Sequence, residues 1–337
     1  MCSGIEAASV AFGPLGWRAC AMAETAKFPS AVLAHRWPGV PNYGDVLKFR
    51  KWPDHAPALV IGGTPCQSFS VAGFRAALAD PRGSLTLTYL GIADRYRPRW
   101  LVWENVPGVL HADRGRAFGT FLGGLAQLGY GFAYRVLDAQ YFGVPQQRRR
   151  VFVVGYLGDW RPPAAVLFER ESLRGDTAPG RAAWPKDTPE PAPRINRNGQ
   201  YDGHIARALL GKMPRIDGET ETFIPVQYFD ANASGSRGFA TAEGIEVAGT
   251  LRGMTRADGS PNHCAHAAIA SPRHGLRRLT PREYERLQGF PDDYTLVPYA
   301  GRPASDGPRY AAVGNSMPVP LLAWIGARIA AIDAIVT

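Results

Sequence analysis

The chain predicts an α/β fold: an open sheet flanked by helices, followed by a second, smaller and loop-rich domain. Three observations carry this. Two apolar runs, Ala58-Leu59-Val60-Ile61 and Trp100-Leu101-Val102-Trp103, have the length of short buried strands. Each ends in polar or turn residues, Gly62-Gly63-Thr64-Pro65-Cys66 and Glu104-Asn105-Val106. Residues 1–45 alternate glycine turn, helix and strand, the βαβ order of a nucleotide-binding half-sheet. Beyond Gly158 the composition shifts, and residues 161–200 are rich in Pro, Gly, Arg and Asp with only short apolar pieces such as Val166-Leu167-Phe168.

Taken in order, Ser3 to Ser9 opens a helical stretch that runs to Leu15 and stops at Gly16. Arg18 to Ala23 reads as a small strand closing on Glu24, Pro29 to His35 as a helix, and Val40 to Val46 carries Gly44-Asp45. In this order a glycine turn lets the backbone approach a ligand, and an acid at the next strand end accepts from a ribose diol. Glu24 has that place, and Asp45 is placed to reach an adenine. After the polar, turn-rich segment Val71 to Gly83, helices are expected over Leu85–Tyr96 and Ala117–Leu128, and strands over Tyr134–Leu137 and Val151–Val154. Between those strands lies Gly143-Val144-Pro145-Gln146-Gln147-Arg148-Arg149-Arg150.

Short strand-like runs, Phe223–Val226 and Ile245–Ala248, sit among glycine-rich turns up to about Pro272. Leu279 to Pro291 then reads as a capped helix: Thr280 as cap, Pro281 in the first turn, Glu283 three residues on and Gly289 as the stop. Arg309 to Pro320 reads as a loop, in which Gly314-Asn315-Ser316 is a turn, and a helix to Val336 packs back on the first domain. The expected domains are 1–160, 161–300 and a returning segment 301–337.

The chain has 337 residues, 45% hydrophobic and 20% charged, enough for one large and one smaller globular domain. No run of eighteen apolar residues is seen, so no membrane span is expected, and the start lacks the pattern of a signal peptide. Four cysteines, at 2, 20, 66 and 264, are too few and scattered for a disulfide framework, which fits a reducing cytoplasm. The net charge of +9 argues for a polyanionic partner, with Arg148-Arg149-Arg150 and residues 273–282 concentrating the basic groups. His263-Cys264-Ala265-His266 is crowded and has no second ligand pair nearby, so no metal is expected.

Cys66 taken alone reads as a buried thiol. Set at a strand tip between Pro65 and Gln67, with a carboxyl at the tip of a second strand, it reads as a nucleophile facing a shared crevice. In order along the chain stand Gly-x-Pro-Cys-Gln, Glu-Asn-Val, Gln-x-Arg-x-Arg, Arg-Leu-Gln-Gly-Phe-Pro and Gly-Asn-Ser. Across residues 2–158 and 276–332 the chain therefore resembles the DNA (cytosine-5) methyltransferases, most closely the phage and prophage type.

The resemblance implies a Rossmann-like, S-adenosylmethionine-dependent methyltransferase sheet with a smaller, loop-rich target-recognition domain. It implies attack by Cys66 on carbon 6 of a flipped cytosine in double-stranded DNA, and S-adenosylhomocysteine as the product cofactor. Glu104 would donate at N3, in a desolvated pocket that favours the protonated carboxyl; Arg150 would reach the base O2 and support Glu104, while Arg148 orders the site or contacts the backbone. Asn105 and Val106 would set the strand end. Ser3, Gly4, Ile5, Glu24, Asp45, Val46, Pro65, Leu85, Asn315 and Ser316 would line the cofactor pocket. Gln67, Ser70, Arg82, Gln146 and Arg149 would contact DNA, and the loop at 71–83 would close over the base. A cognate restriction endonuclease fits this picture.

The chain departs from the family in three places. Cys2 stands where an aromatic is usual, Glu6 where glycine is common, and Tyr284 where cysteine is frequent. No apolar strand precedes Met1, so the central strand is expected to be missing or shortened. Two alternatives stay open: a DNA-binding remnant with impaired catalysis, and a thiol enzyme of other chemistry. For the latter, His35, His55 and His111 lie in no recognisable partner motif.

Overall fold

The computed structural model describes residues 1–64, 85–169, 268–271 and 275–336. It divides into two compact units, one of Met1–Leu137, Arg149–Ala178 and Leu321–Thr337, the other of Asp138–Arg148 and Pro179–Pro320.

The first unit opens with helix α1 (Ala7–Phe12), which tightens into a 3-10 turn at Gly13–Leu15 and stops at Gly16, φ +89°. The strand expected over Arg18–Ala23 shrinks to a single parallel bridge between Met22 and Asn42. Half of its side chains are alanines with little area to bury, and within 18–23 only Met22 and Ala23 are buried. Helix α2 (Lys27–Arg36) and a 3-10 helix (Val46–Lys51) follow. Next come strand β1 (Leu59–Gly63), helix α3 (Leu85–Tyr96), strand β2 (Trp100–Asn105) and helix α4 (Arg116–Gln127). Strands β3 (Tyr130–Asp138) and β4 (Arg149–Leu157) and helix α5 (Arg161–Leu167) complete the run.

The sheet order is β1-β2-β4-β3, with β1 parallel to β2 and β2 antiparallel to β4. Gly62 and Gly63, which read as punctuation after the strand, are its last two residues, opposite Trp103 and Glu104. Gly62 is required by close approach: a Cβ there would sit 2.5 Å from Met1 Cγ and 2.9 Å from Met1 O. The Met1 amine donates to the Ile61 carbonyl at 2.6 Å, so the first residues run beside β1.

Aromatic rings from α3, β2 and α4 fill the core on one face. Trp103 packs on Phe121 with centroids 4.3 Å apart, and Phe121 meets Tyr89 edge-on. The buried Tyr89 hydroxyl is placed between the carbonyls of Val102 (3.0 Å) and Val60 (3.2 Å), linking α3 to both parallel strands. Burial raises that phenol well above its ordinary range.

Helix α8 (Val319–Val336) closes this unit. Against the expectation of no such segment, the helical run ending at Val336 has the length and mean hydropathy (1.8) of a membrane span. It packs along one face, and its last residues, Ile335 and Val336, are exposed. Leu321, Leu322, Ile325 and Ile329 are fully buried, and Gly326 lies flat on the Phe12 ring, where a Cβ would come within 2.4 Å. Its charges are engaged too: Asp333 accepts from Trp100 Nε1 (2.7 Å) and Arg99 (2.6 Å), and Arg328 donates to the carbonyls of Val166, Ala165 and Phe168.

In the second unit, β5 (Ala268–Ser271) and β6 (Gly275–Arg278) pair antiparallel. Helix α6 (Pro281–Gln288) has the full capping box: Glu283 N–H donates to Thr280 Oγ1, and Thr280 N–H donates to Glu283 Oε2 at 2.7 Å. Strands β7 (Pro298–Tyr299) and β8 (Arg302–Pro303) form a minimal hairpin. The stretch read as a loop is mostly helix α7 (Asp306–Asn315). The expected turn Gly314-Asn315-Ser316 is the last turn and C-cap of that helix, and Pro308 lies in its first turn, where its missing N–H costs nothing.

Candidate active site

The register of β1 and β2 decides what meets at the sheet edge. Gly63 pairs with Glu104, so the strand leading to Cys66 ends beside the carboxyl. Cys66 itself, with Pro65, Gln67, Ser70 and Arg82, lies outside the described residues, as does His263–His266.

The edges of that segment are firmly held. Thr64 Oγ1 accepts from the Trp103 indole N–H at 3.0 Å and lies 2.9 Å from Thr86 Oγ1, all three residues buried. The Asn105 side chain donates to the Thr64 carbonyl at 3.0 Å and accepts from Val106 N–H at 2.8 Å. Thus the residue before Pro65 is tied to the end of β2 and to the first turn of α3, where Leu85 lies. Hydroxyls this deeply buried need partners, and here they find each other.

Glu104 is 13% exposed and paired through Oε1 with Arg150 Nε at 3.0 Å, Arg150 being 14% exposed. Arg149, the neighbouring residue on β4, points outward and is exposed. The alternation of a strand therefore separates adjacent arginines into one at the carboxylate and one at the surface.

Arg148 and Gln146 belong to the second unit. Arg148 is buried and donates to the Ser316 carbonyl at 2.9 Å, and Gln146 Nε2 donates to the Leu287 carbonyl at 3.1 Å. Gln288 Nε2 reaches the Val313 carbonyl (3.0 Å) and the Ser316 carbonyl (3.3 Å). Ser316 is buried as the C-cap of α7, and Asn315 before it is exposed.

The glycine turn closes on Glu24. Gly4, φ +53°, donates its N–H to Glu24 Oε2 at 2.8 Å, while Glu24 Oε1 accepts from Thr25 N–H (2.9 Å) and Ala26 N–H (2.8 Å). Ser3 bonds Ala23 in both directions, N–H to carbonyl at 2.9 Å and Ala23 N–H to Ser3 Oγ at 3.1 Å. Ile5 is fully buried, so it can offer a ligand only its backbone. Asp45 Oδ1 accepts from Leu47 N–H at 3.0 Å, and the buried Val46 starts the 3-10 helix. The donor set fits a nucleoside: a turn without a side chain and two carboxylates at the ends of successive segments.

The departure at Glu6 has a geometry of its own. Glu6 takes φ +63°, ψ +52°, a conformation glycine adopts freely and other residues do not. Its carboxylate accepts from Ser9 Oγ at 2.9 Å, and burial raises its proton affinity, partly offset by the nearby Met1 amine. Burial likewise pushes the Cys2 thiol up.

The hydrogen-bonding parts of three residues were not legible in the sequence: Thr64, Thr86 and Asn42. The threonines are ordinary strand and helix residues until the fold joins positions 22 apart. Asn42 precedes the Gly44-Asp45 pair, and only that neighbourhood pointed to it.

The α/β sheet thus joins a glycine turn closed on Glu24 with a Glu104–Arg150 pair beside the end of β1, a layout of the nucleotide-binding α/β class. The family described as C-5 cytosine-specific DNA methylase matches residues 1–331, and the chain belongs to it. It is 35% identical to a protein of Escherichia phage P1 named DNA N-6-adenine-methyltransferase, over 98% of this chain and 60% of that one. It is 28% identical to the type II methyltransferase M2.BsuMI of Bacillus subtilis, over 88% of this chain and 65% of the relative. The chain thus spans less than two thirds of the length of these relatives. The S. pombe Dnmt2 methyltransferase shares the fold with a TM-score of 0.61 at 14% identity, over 99% of this chain and 97% of that chain.

Proposed function

We propose that this chain methylates carbon 5 of a cytosine flipped out of double-stranded DNA, using S-adenosylmethionine, in the cytoplasm of a bacterial cell or a phage-infected host. The observation that carries the reading is the register placing Gly63 against Glu104, with Arg150 on the same carboxylate. This supports the reading because β1, the strand that precedes Cys66 in the chain, ends beside an acid and a guanidinium.

The chemistry follows from these groups. The Cys66 thiolate forms a bond to carbon 6, and the electrons of the 5,6 double bond move into the ring, where Glu104 delivers a proton to N3. Arg150 pairs with Glu104 through Oε1 at 3.0 Å, which orients the carboxyl toward N3 and sets a guanidinium close to where the base O2 would lie. S-Adenosylmethionine, when bound, supplies the methyl group and leaves as S-adenosylhomocysteine. Loss of the carbon 5 proton to water then expels Cys66, restores the double bond and returns the N3 proton to Glu104. Glu24 and Asp45 would hold the ribose and adenine of the cofactor.

The phage P1 relative's name raises methylation of adenine N6 as a second reading. An exocyclic amine is itself the nucleophile, so that reaction needs no thiol. The test separates the two. Duplex DNA methylated by the purified chain should yield 5-methylcytosine on nucleoside mass spectrometry, and Cys66→Ser should abolish it. Oligonucleotides carrying 5-fluorocytosine should trap a conjugate through Cys66, because fluorine cannot leave as the proton does. N6-methyladenine with no conjugate would overturn the reading, and absence of any transfer would favour a DNA-binding remnant.

A further inference from the structure

We infer that Asn42, which no motif marks, is the positioning residue for the nucleoside half of the cofactor; this rests on the proposed cofactor site at Glu24 and Asp45. The Asn42 side-chain amide behaves as one more peptide unit in the pairing between residues 22–24 and 41–44. Its Oδ1 accepts from Glu24 N–H at 2.9 Å and from Gly44 N–H at 3.0 Å. Its Nδ2 donates to the Glu24 carbonyl at 3.1 Å and to Ser30 Oγ at 3.3 Å. The network settles the orientation of the amide, since a flip would set its NH2 against two N–H donors.

Around it the backbone is sparse. The Met22–Asn42 bridge is isolated, supported by Met22 N–H to Pro41 O at 2.9 Å and Tyr43 N–H to Met22 O at 2.8 Å. With so little strand pairing, two of its four hydrogen bonds, to Glu24 N–H and C=O, stand in for a backbone pair between the segments, while the other two fix the turn at Gly44 and reach Ser30. One end of its reach is Glu24, whose carboxylate must face a ribose diol. The other is Gly44, φ +69°, which aims Asp45. One side chain therefore sets the separation and tilt of both acids. Asparagine is the residue that does this. Aspartate would set an oxygen against the Glu24 carbonyl, and alanine would leave both N–H groups without this acceptor.

The experiment is calorimetric binding of S-adenosylhomocysteine and of its 2′-deoxyribose analogue to the full chain and to Asn42→Ala and Asn42→Asp. In the unaltered protein the deoxy analogue should bind more weakly, because Glu24 loses a hydroxyl. In both variants affinity for S-adenosylhomocysteine should fall on the order of tenfold, and the two ligands should become nearly equal. Methyl transfer should show the KM for the cofactor raised, with kcat and the KM for DNA little changed. Unchanged affinity in the variants would overturn the inference. So would lost affinity with ribose discrimination intact, the mark of a merely structural role. If the unaltered chain binds neither ligand, the cofactor reading itself fails, and that result is distinct from the other two.

Discussion

Glu6 shows how one side chain can be held against its own preference. A non-glycine residue in the left-handed region costs roughly 1–2 kcal/mol, and Glu6 sits there at φ +63° with a carboxyl that burial disfavours as an anion. Relief of the backbone strain predicts that Glu6→Gly stabilises the protein by about 1 kcal/mol, read as a higher denaturation midpoint. The carboxyl makes a separate prediction. Its proton affinity is raised in the folded state above the ordinary 4.5, so the native protein binds the proton more tightly. Its contribution is therefore fullest below pH 4.5 and is lost as pH rises through the raised value. Glu6→Gln should remove that slope, being more stable than the parent at neutral pH and level with it in acid. A parent–variant difference that does not change with pH would refute the account. Arg309 is the opposite case. It bonds the fully buried Glu285 at 3.2 Å and Thr295 at 3.0 Å. Arg309→Met would strand that carboxylate and should cost about 3–5 kcal/mol in unfolding experiments.

At the scale of elements, caps and strand ends are where sequence chemistry translates most directly. The Thr280–Glu283 box of α6 was readable from spacing alone, because it depends on neighbours three apart. Thr280→Ala should cost about 1 kcal/mol, measurable by chemical denaturation. The clamp of Thr64, Thr86 and Trp103 was not readable, since it joins β1, β2 and α3. Thr86→Val keeps the shape and removes a buried hydroxyl partner, so stability should drop by about 1–3 kcal/mol. Under the proposed mechanism kcat should fall while both KM values hold, because the entry to the Cys66 segment loosens. Thr86→Ser should restore the rate; a Ser variant no better than Val would show that the hydroxyl is not the cause.

For the whole molecule, a net charge of +9 bears on the proposed DNA partner. Binding that rests on phosphate contacts should weaken linearly in log–log terms with salt, by about a thousandfold or more between 50 and 200 mM for six to ten contacts. A flat salt dependence in fluorescence anisotropy would remove the electrostatic part of the reading. The class of fold and the order of the motifs were legible because they rest on apolar run length, turn residues and spacing. Arg148, proposed as a site residue from its motif, was not legible in its setting. It lies in the same Arg-Arg-Arg run as Arg150, yet is buried against the Ser316 carbonyl in the second unit, while Arg150 meets Glu104 in the first. Gly314-Asn315-Ser316 read as a turn within a loop and is the end of a helix, because a glycine's meaning depends on its place in the turn.

By itself the sequence determined the α/β class, the order of the motifs and which residues to propose for the chemistry, all consequences of local pattern. Only the tertiary structure decided which residues hold those groups in place. The Asn42 amide, the threonine clamp and the strained Glu6 depend on register and backbone angles, and those follow from how distant segments pack rather than from any run of neighbours.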